Sequence, residues 1–206
     1  MQTGWTLTCH DLGKRFGERW VFRHIELTLS QGTVLVVRGS NGSGKSTLIR
    51  ILAGLLTPTE GRVQMALAGQ AFAERRAWLG WSATDGALYR ELTAREHLRW
   101  WATLRDTDAT DTELMAHLER FELGARADDL LRTYSTGMRQ RMRLALATWG
   151  RPPLLLLDEP DAGLDARGML LLERVIDEHR TFGIVVLATN RNESLAWGDL
   201  TLEMGA

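Results

Sequence analysis

The chain has 206 residues, 44% of them hydrophobic, and a formal net charge of −1. That length supports one large domain, or one domain with an inserted subdomain, around a substantial core. The near-neutral charge excludes a general electrostatic pull toward nucleic acid or anionic membrane, and the single cysteine, Cys9, excludes an internal disulfide and points to a reducing, cytosolic setting. The apolar runs at 154–157 and 184–188 are far too short to cross a bilayer. Trp5, His10, Asp11 and Lys14 interrupt any signal-peptide stretch at the N-terminal end.

Residues 3–29 alternate apolar and polar, as in Trp5-Thr6-Leu7-Thr8-Cys9 and Ile25-Glu26-Leu27-Thr28-Leu29. This predicts antiparallel strands joined by a turn near Phe16-Gly17-Glu18. Gln31-Gly32 turns the chain into Thr33-Val34-Leu35-Val36-Val37, a β-branched apolar run that reads as a buried strand. Next comes Gly39-Ser40-Asn41-Gly42-Ser43-Gly44-Lys45-Ser46-Thr47, which fits the phosphate-binding pattern G-x-x-x-x-G-K-[ST]. Apolar residues at helical spacing follow, from Leu48 to Leu56. Strand, glycine loop and helix are the context this motif requires. Glycines let backbone N–H groups curl around phosphate oxygens, and the helix N-terminus adds partial positive charge. Lys45 can reach the β- and γ-phosphates, and the Ser46 hydroxyl can ligate Mg²⁺.

Pro58-Thr59-Glu60-Gly61 then predicts a turn into a short strand at 62–67. Residues 70–78 read as a short charged helix ahead of a strand at Leu79-Gly80-Trp81. From about 86 to 150 the pattern is helical. Thr93-Ala94-Arg95-Glu96 is a capping box, followed by Leu98, Trp101 and Leu104 on one face. Residues 111–121 form a second helix with Leu114, Met115, Leu118 and Phe121 inward, and 127–131 a short third. Ser135 opens a long helix that Pro152-Pro153 prevents from continuing. Leu154-Leu155-Leu156-Leu157-Asp158-Glu159 is a buried strand ending in two carboxylates, with a helix at 166–180 and strands at 184–189 and 200–204 after it. Strands alternating with helices predict a parallel α/β sheet with nucleotide at its carboxyl edge. There Asp158 suits a metal ion and Glu159 suits the attacking water of phosphoryl transfer. A solvated strand end would carry the same two residues without that role.

Tyr134-Ser135-Thr136-Gly137-Met138-Arg139-Gln140-Arg141, ahead of the Asp158-Glu159 strand, resembles the signature sequence of ATP-binding cassette ATPases. As chemistry it is a serine N-cap and a glycine amide at the start of a long helix. The resemblance covers nearly the whole chain. It implies an α/β fold: a P-loop NTPase core with a mostly parallel sheet, an N-terminal antiparallel β subdomain and an inserted α-helical subdomain. Residues 1–85 and 150–206 would form the nucleotide-binding core and 86–149 the helical part. It implies ATP and Mg²⁺ as cofactors, with Ser46 and Asp158 on the metal. It also implies a head-to-tail homodimer in which Ser135 and Gly137 of one copy grip the γ-phosphate held by the other. Gly163-Leu164-Asp165 resembles the loop that crosses that dimer interface, and Phe16 takes the place of an aromatic residue that stacks on adenine. The other reading of Phe16 is a core aromatic near a turn.

Two positions depart from the family pattern. Thr84 stands where the family has a glutamine that touches Mg²⁺ and water, with Asp85 beside it. Asn190 stands where the family has a histidine on the γ-phosphate; it donates an amide hydrogen bond but carries no charge and shuttles no proton. The expectation is intact ATP binding with slow or partner-dependent hydrolysis. In transporter relatives the region of Trp81, Trp100 and Trp101 receives a helix of a membrane subunit; the alternative is that these residues are simply core of the helical part. His10, His24, His97, His117 and His179 have no metal-ligand spacing and read as surface or boundary residues.

The leading expectation is thus the ATP-hydrolysing subunit of a transporter, peripheral on the cytoplasmic face of a membrane and docked on a separate integral membrane subunit, with no nucleic-acid partner. The short chain resembles haem-exporter cassettes of cytochrome c maturation, and the Tyr-Ser-Thr-Gly-Met signature fits antibiotic and multidrug exporter cassettes equally well. A clamp that dimerises on ATP without fast turnover is the alternative that Thr84 and Asn190 favour and Glu159 opposes.

Overall fold

The computed structural model describes residues 4–72, 78–83, 86, 88–107 and 109–205. The elements in chain order are β1 (Trp5–Phe16), β2 (Arg19–Ser30), β3 (Val34–Arg38), α1 (Lys45–Leu52), β4 (Glu60–Leu67), β5 (Gln70–Phe72), β6 (Leu79–Ala83), α2 (Ala94–Leu104), α3 (Asp111–Arg120), α4 (Thr136–Thr148), β7 (Leu154–Asp158), α5 (Ala166–Arg180), β8 (Ile184–Ala188) and β9 (Leu200–Glu203). They form an antiparallel sheet in the order β2-β1-β4-β5 and a five-stranded sheet in the order β6-β7-β8-β3-β9, whose pairings are all parallel.

The central parallel strands β7, β8 and β3 are buried on both faces, so their sequences are near-continuous apolar runs. Their side chains still alternate between two cores. Val34, Val36, Leu155, Leu157, Val185 and Leu187 pack with α2 to α5. Leu35, Val37, Leu154, Leu156, Ile184 and Val186 pack with Leu48, Ile49, Ile51 and Leu52 of α1 and with Leu7, Leu29 and Met65 of the antiparallel sheet. Helix α1 therefore shares one core with both sheets, and this fixes the loop at its start.

Four expectations need correction. Residues 70–72 are a strand, not a helix. Ala68 and Gly69, at φ 49° and 83°, make a tight hairpin turn that sends β5 back along β4. Phe72 then packs its ring 5.5 Å from Trp5; residues 73–77 of the expected helix lie outside the described residues. At 127–131 there is no helix. Single 3₁₀ turns at Gly124–Arg126 and Leu131–Thr133 flank an extended Leu130, which bridges to Thr93. Leu104 is 57% exposed, because six residues beyond Leu98 a helix has rotated about 120° off the inward face. Ala94, His97, Leu98 and Ala102 are the residues buried there, behind the capping box of Thr93 and Glu96. His97, His117 and His179 are also buried rather than superficial.

Candidate active site

The phosphate loop connects β3 to α1, and its course is set by glycine. Gly39 has φ 153°, and a Cβ there would lie 2.4 Å from the Met204 carbonyl oxygen. Gly44 caps α1 at φ 104°, and a Cβ there would lie 2.4 Å from Val21 Cγ1. No side chain caps α1, so its first backbone N–H groups face the loop. The Ser43 hydroxyl is buried with no hydrogen-bond partner among the described residues. Lys45 is only 5% exposed, and its Nζ donates to the carbonyls of Gly39 (2.8 Å) and Ser40 (3.1 Å). An uncapped helix start, an unpartnered hydroxyl and a held ammonium together fit phosphate oxygens. A cleft of about 800 Å³ opens there, lined by residues 40–47, by Phe16, Arg19, Trp20 and Val21 on one side, and by Glu159 on another. Phe16 is 53% exposed on the rim, with Lys14 Nζ 5.0 Å from its ring centre.

Strand β7 delivers the carboxylates. Asp158 is its buried last residue. Glu159 turns the chain at φ 49°, a left-handed conformation that costs a non-glycine residue energy and is met at functional sites. Its N–H donates to Ala188 O at 2.8 Å, which ties the turn to β8. The loop after β8 brings in Asn190. Its Nδ2 donates to Asn41 Oδ1 of the phosphate loop (2.6 Å) and to Glu159 Oε1 (3.3 Å). One amide thus links both walls of the cleft.

Four residues to which the sequence assigns no site role hold this arrangement. Buried Asp161 accepts hydrogen bonds from Thr189 Oγ1 (2.6 Å) and Ser194 Oγ (2.8 Å). Buried Gln140 of α4 donates from Nε2 to Pro160 O at 3.0 Å. The available signal was a third carboxylate two residues past Glu159, and the polar Thr189-to-Ser194 stretch closing an apolar strand.

The remaining predicted residues sit elsewhere. Ser135 caps α4, its Oγ accepting from Met138 N at 3.2 Å. Gly137 approaches the loop after β7: a Cβ there would lie 3.4 Å from Gly163 O, and one on Gly163 would lie 2.8 Å from Thr136 Cγ2. Asp165 caps α5, accepting from Gly168 N at 2.8 Å. Ser135, Gly137 and Asp165 do not line the phosphate cleft of their own chain. Thr84 and Asp85 lie outside the described residues.

A second pocket, about 240 Å³, is walled by Trp81, Tyr89, Trp100 and Trp101 with Leu88 and Leu146. Four buried polar atoms of its lining residues have no hydrogen-bond partner among the described residues: Trp81 Nε1, Ser82 Oγ, His97 Nδ1 and Trp101 Nε1. Burial pushes His97 down to about 4, so its ring is neutral at pH 7.

The family model for ABC transporters matches residues 22–162. The chain belongs to this family and is an ATP-binding subunit of the ABC type. It is 38% identical to the cytochrome c biogenesis ATP-binding export protein CcmA of Cupriavidus pinatubonensis, over 98% of this chain and 90% of that one. It is 36% identical to the daunorubicin resistance ATP-binding protein DrrA3 of Streptomyces coeruleorubidus, over 79% of this chain and 52% of that one. Among solved structures, a dimeric ATP-binding cassette in a post-hydrolysis state, bound to ADP and Pi, superposes with a TM-score of 0.84 over 96% of this chain and 94% of that one, at 21% identity. The likeness is one of fold: an α/β cassette with a parallel sheet, an antiparallel sheet and several helices. No helix among the described residues is long and apolar enough to cross a membrane.

Proposed function

We propose that the chain hydrolyses ATP as a homodimer and thereby powers a separate integral membrane subunit, docked on its cytoplasmic face. The observation that carries this reading is the shared cleft, where Lys45 and the open start of α1 stand opposite Glu159. Lys45 and the loop N–H groups would bind the β- and γ-phosphates. Glu159 would accept a proton from water as the water oxygen bonds to the γ-phosphorus and the bond to ADP breaks. Asn190 would give its amide to the γ-phosphate in place of Asn41 or Glu159. Ser46 and buried Asp158 are oxygen donors of the kind Mg²⁺ takes, and the ion bound there would neutralise charge on the phosphate oxygens. Phe16 on the rim would stack on adenine.

Dimerisation is supported by the position of Ser135, Gly137 and Asp165 outside the chain's own cleft, as expected if they meet the nucleotide of a second copy. The dimeric state of the solved relative points the same way. The aromatic pocket with its unpartnered donors supports docking of the membrane subunit at Trp81, Trp100 and Trp101. Haem export for cytochrome c maturation is the cargo reading favoured by the CcmA relative. Drug export is the second reading, favoured by the daunorubicin resistance relative. Asn190 carries no charge and shuttles no proton, so turnover of the isolated chain should be slow and should rise with the membrane subunit. Steady-state phosphate release from the chain with its membrane partner tests the reading. Glu159→Gln should lower kcat by about 100-fold or more while ATP still binds; full activity in that variant would remove Glu159 from the chemistry.

A further inference from the structure

We propose that Asp161 is a positioning residue, which aims Asn190 at Glu159 by holding the loop after β8. This rests on the hydrolysis reading above. Asp161 is 3% exposed, and the two residues that donate to it, Thr189 and Ser194, are fully buried. Both hydroxyls meet a single oxygen, Oδ2. A buried carboxylate is tolerated only where donors satisfy it, so the loop is held to Asp161 as strongly as Asp161 needs the loop.

The attachment brackets Asn190. Thr189, immediately before it, donates its N–H to Val37 O (3.1 Å) and its hydroxyl to Asp161, while the same hydroxyl oxygen accepts from Arg191 N (3.0 Å), immediately after it. The backbone is therefore pinned on both sides of the residue whose amide reaches Asn41 and Glu159. Asp161 also sits in the turn that carries Glu159, closed by Ala162 N donating to Glu159 O at 3.1 Å. One carboxylate thus ties both partners of the Asn190 to Glu159 contact. Asn190 is itself exposed, and the described contacts give its backbone little other hold, so its aim depends on this network.

A double-mutant cycle on ATP turnover tests this. Asp161→Ala should lower kcat about 10-fold, in the range seen for outer-shell partners of functional groups, and leave KM for ATP within about twofold. Asp161→Asn places a carbonyl oxygen where Oδ2 stood, so it should stay within about threefold of the parent. In an Asn190→Ala background, Asp161→Ala should cause no further loss. Additive losses, or parental turnover in Asp161→Ala, would overturn the proposal. Hydrogen exchange of the nucleotide-free protein gives a readout independent of activity: residues 189–195 should exchange faster in Asp161→Ala and at the parental rate in Asp161→Asn. Unchanged exchange in Asp161→Ala would refute the anchoring. A parent chain that shows this exchange pattern but no turnover with its membrane partner would instead count against hydrolysis.

Discussion

The two walls of the cleft are built from different materials. The phosphate loop is made of backbone: Gly39, Gly42 and Gly44 at positive φ, an uncapped helix start and one buried lysine. The opposite wall is made of side chains: Glu159 held in a left-handed turn, Asn190 spanning the gap, and Asp161 joining Thr189 to Ser194. The first wall needs residues that are absent, namely the Cβ atoms that would strike Met204 and Val21. The second needs residues that are present and paired. A backbone wall recognises any triphosphate. A side-chain wall can be tuned, and here it turns on the uncharged amide of Asn190.

The difference predicts unlike responses to mutation, and the largest belongs to the backbone wall. Gly39→Ala puts a methyl group against a backbone carbonyl that cannot move aside. Nucleotide affinity should fall by at least about 100-fold and stability by about 3 kcal/mol. Titration with a fluorescent ATP analogue, alongside thermal unfolding, measures both. Parental affinity would mean that the loop is not set by its glycines.

A smaller effect separates the site from its scaffold. Burial pushes His97 and His179 down to about 4 and lowers His117 as well, where it outweighs the hydrogen bond to Ala145 O. None of the three is in either wall of the cleft. The unfolded chain takes up protons near the ordinary histidine value of 6.5, which the folded state refuses. The stabilising contribution is complete above pH 6.5 and is lost as pH falls toward 4. At pH 5 the cost for His97 and His179 is about 2 kcal/mol each. The melting temperature should drop between pH 7 and pH 5, and the drop should shrink in His179→Gln; a flat profile would contradict the burial.

The same division explains what could be read from the chain. The phosphate loop, the capping boxes and the apolar strands are local patterns with local causes, so Gly39 to Thr47, Thr93 with Glu96, and the run ending at Asp158 were legible. The fold class followed from their order. Asp161 was not legible, because its value lies in meeting Thr189 and Ser194 across a separation of 28 and 33 residues. Residues 70–72 failed for a related reason: charged neighbours suggested a helix, while the Ala68-Gly69 turn and pairing with β4 decided the outcome. The buried histidines likewise looked superficial, since their surroundings come from other elements.

On the proposed reading, the two walls complete a hydrolytic site only when a second copy covers the nucleotide. Sedimentation of the Glu159→Gln variant with ATP and Mg²⁺ measures this directly, because bound ATP is not consumed. A monomer is expected without nucleotide and a dimer with ATP, reverting to monomer when Ser135→Arg is added. A variant that binds ATP fully yet stays monomeric at every concentration tested would contradict it.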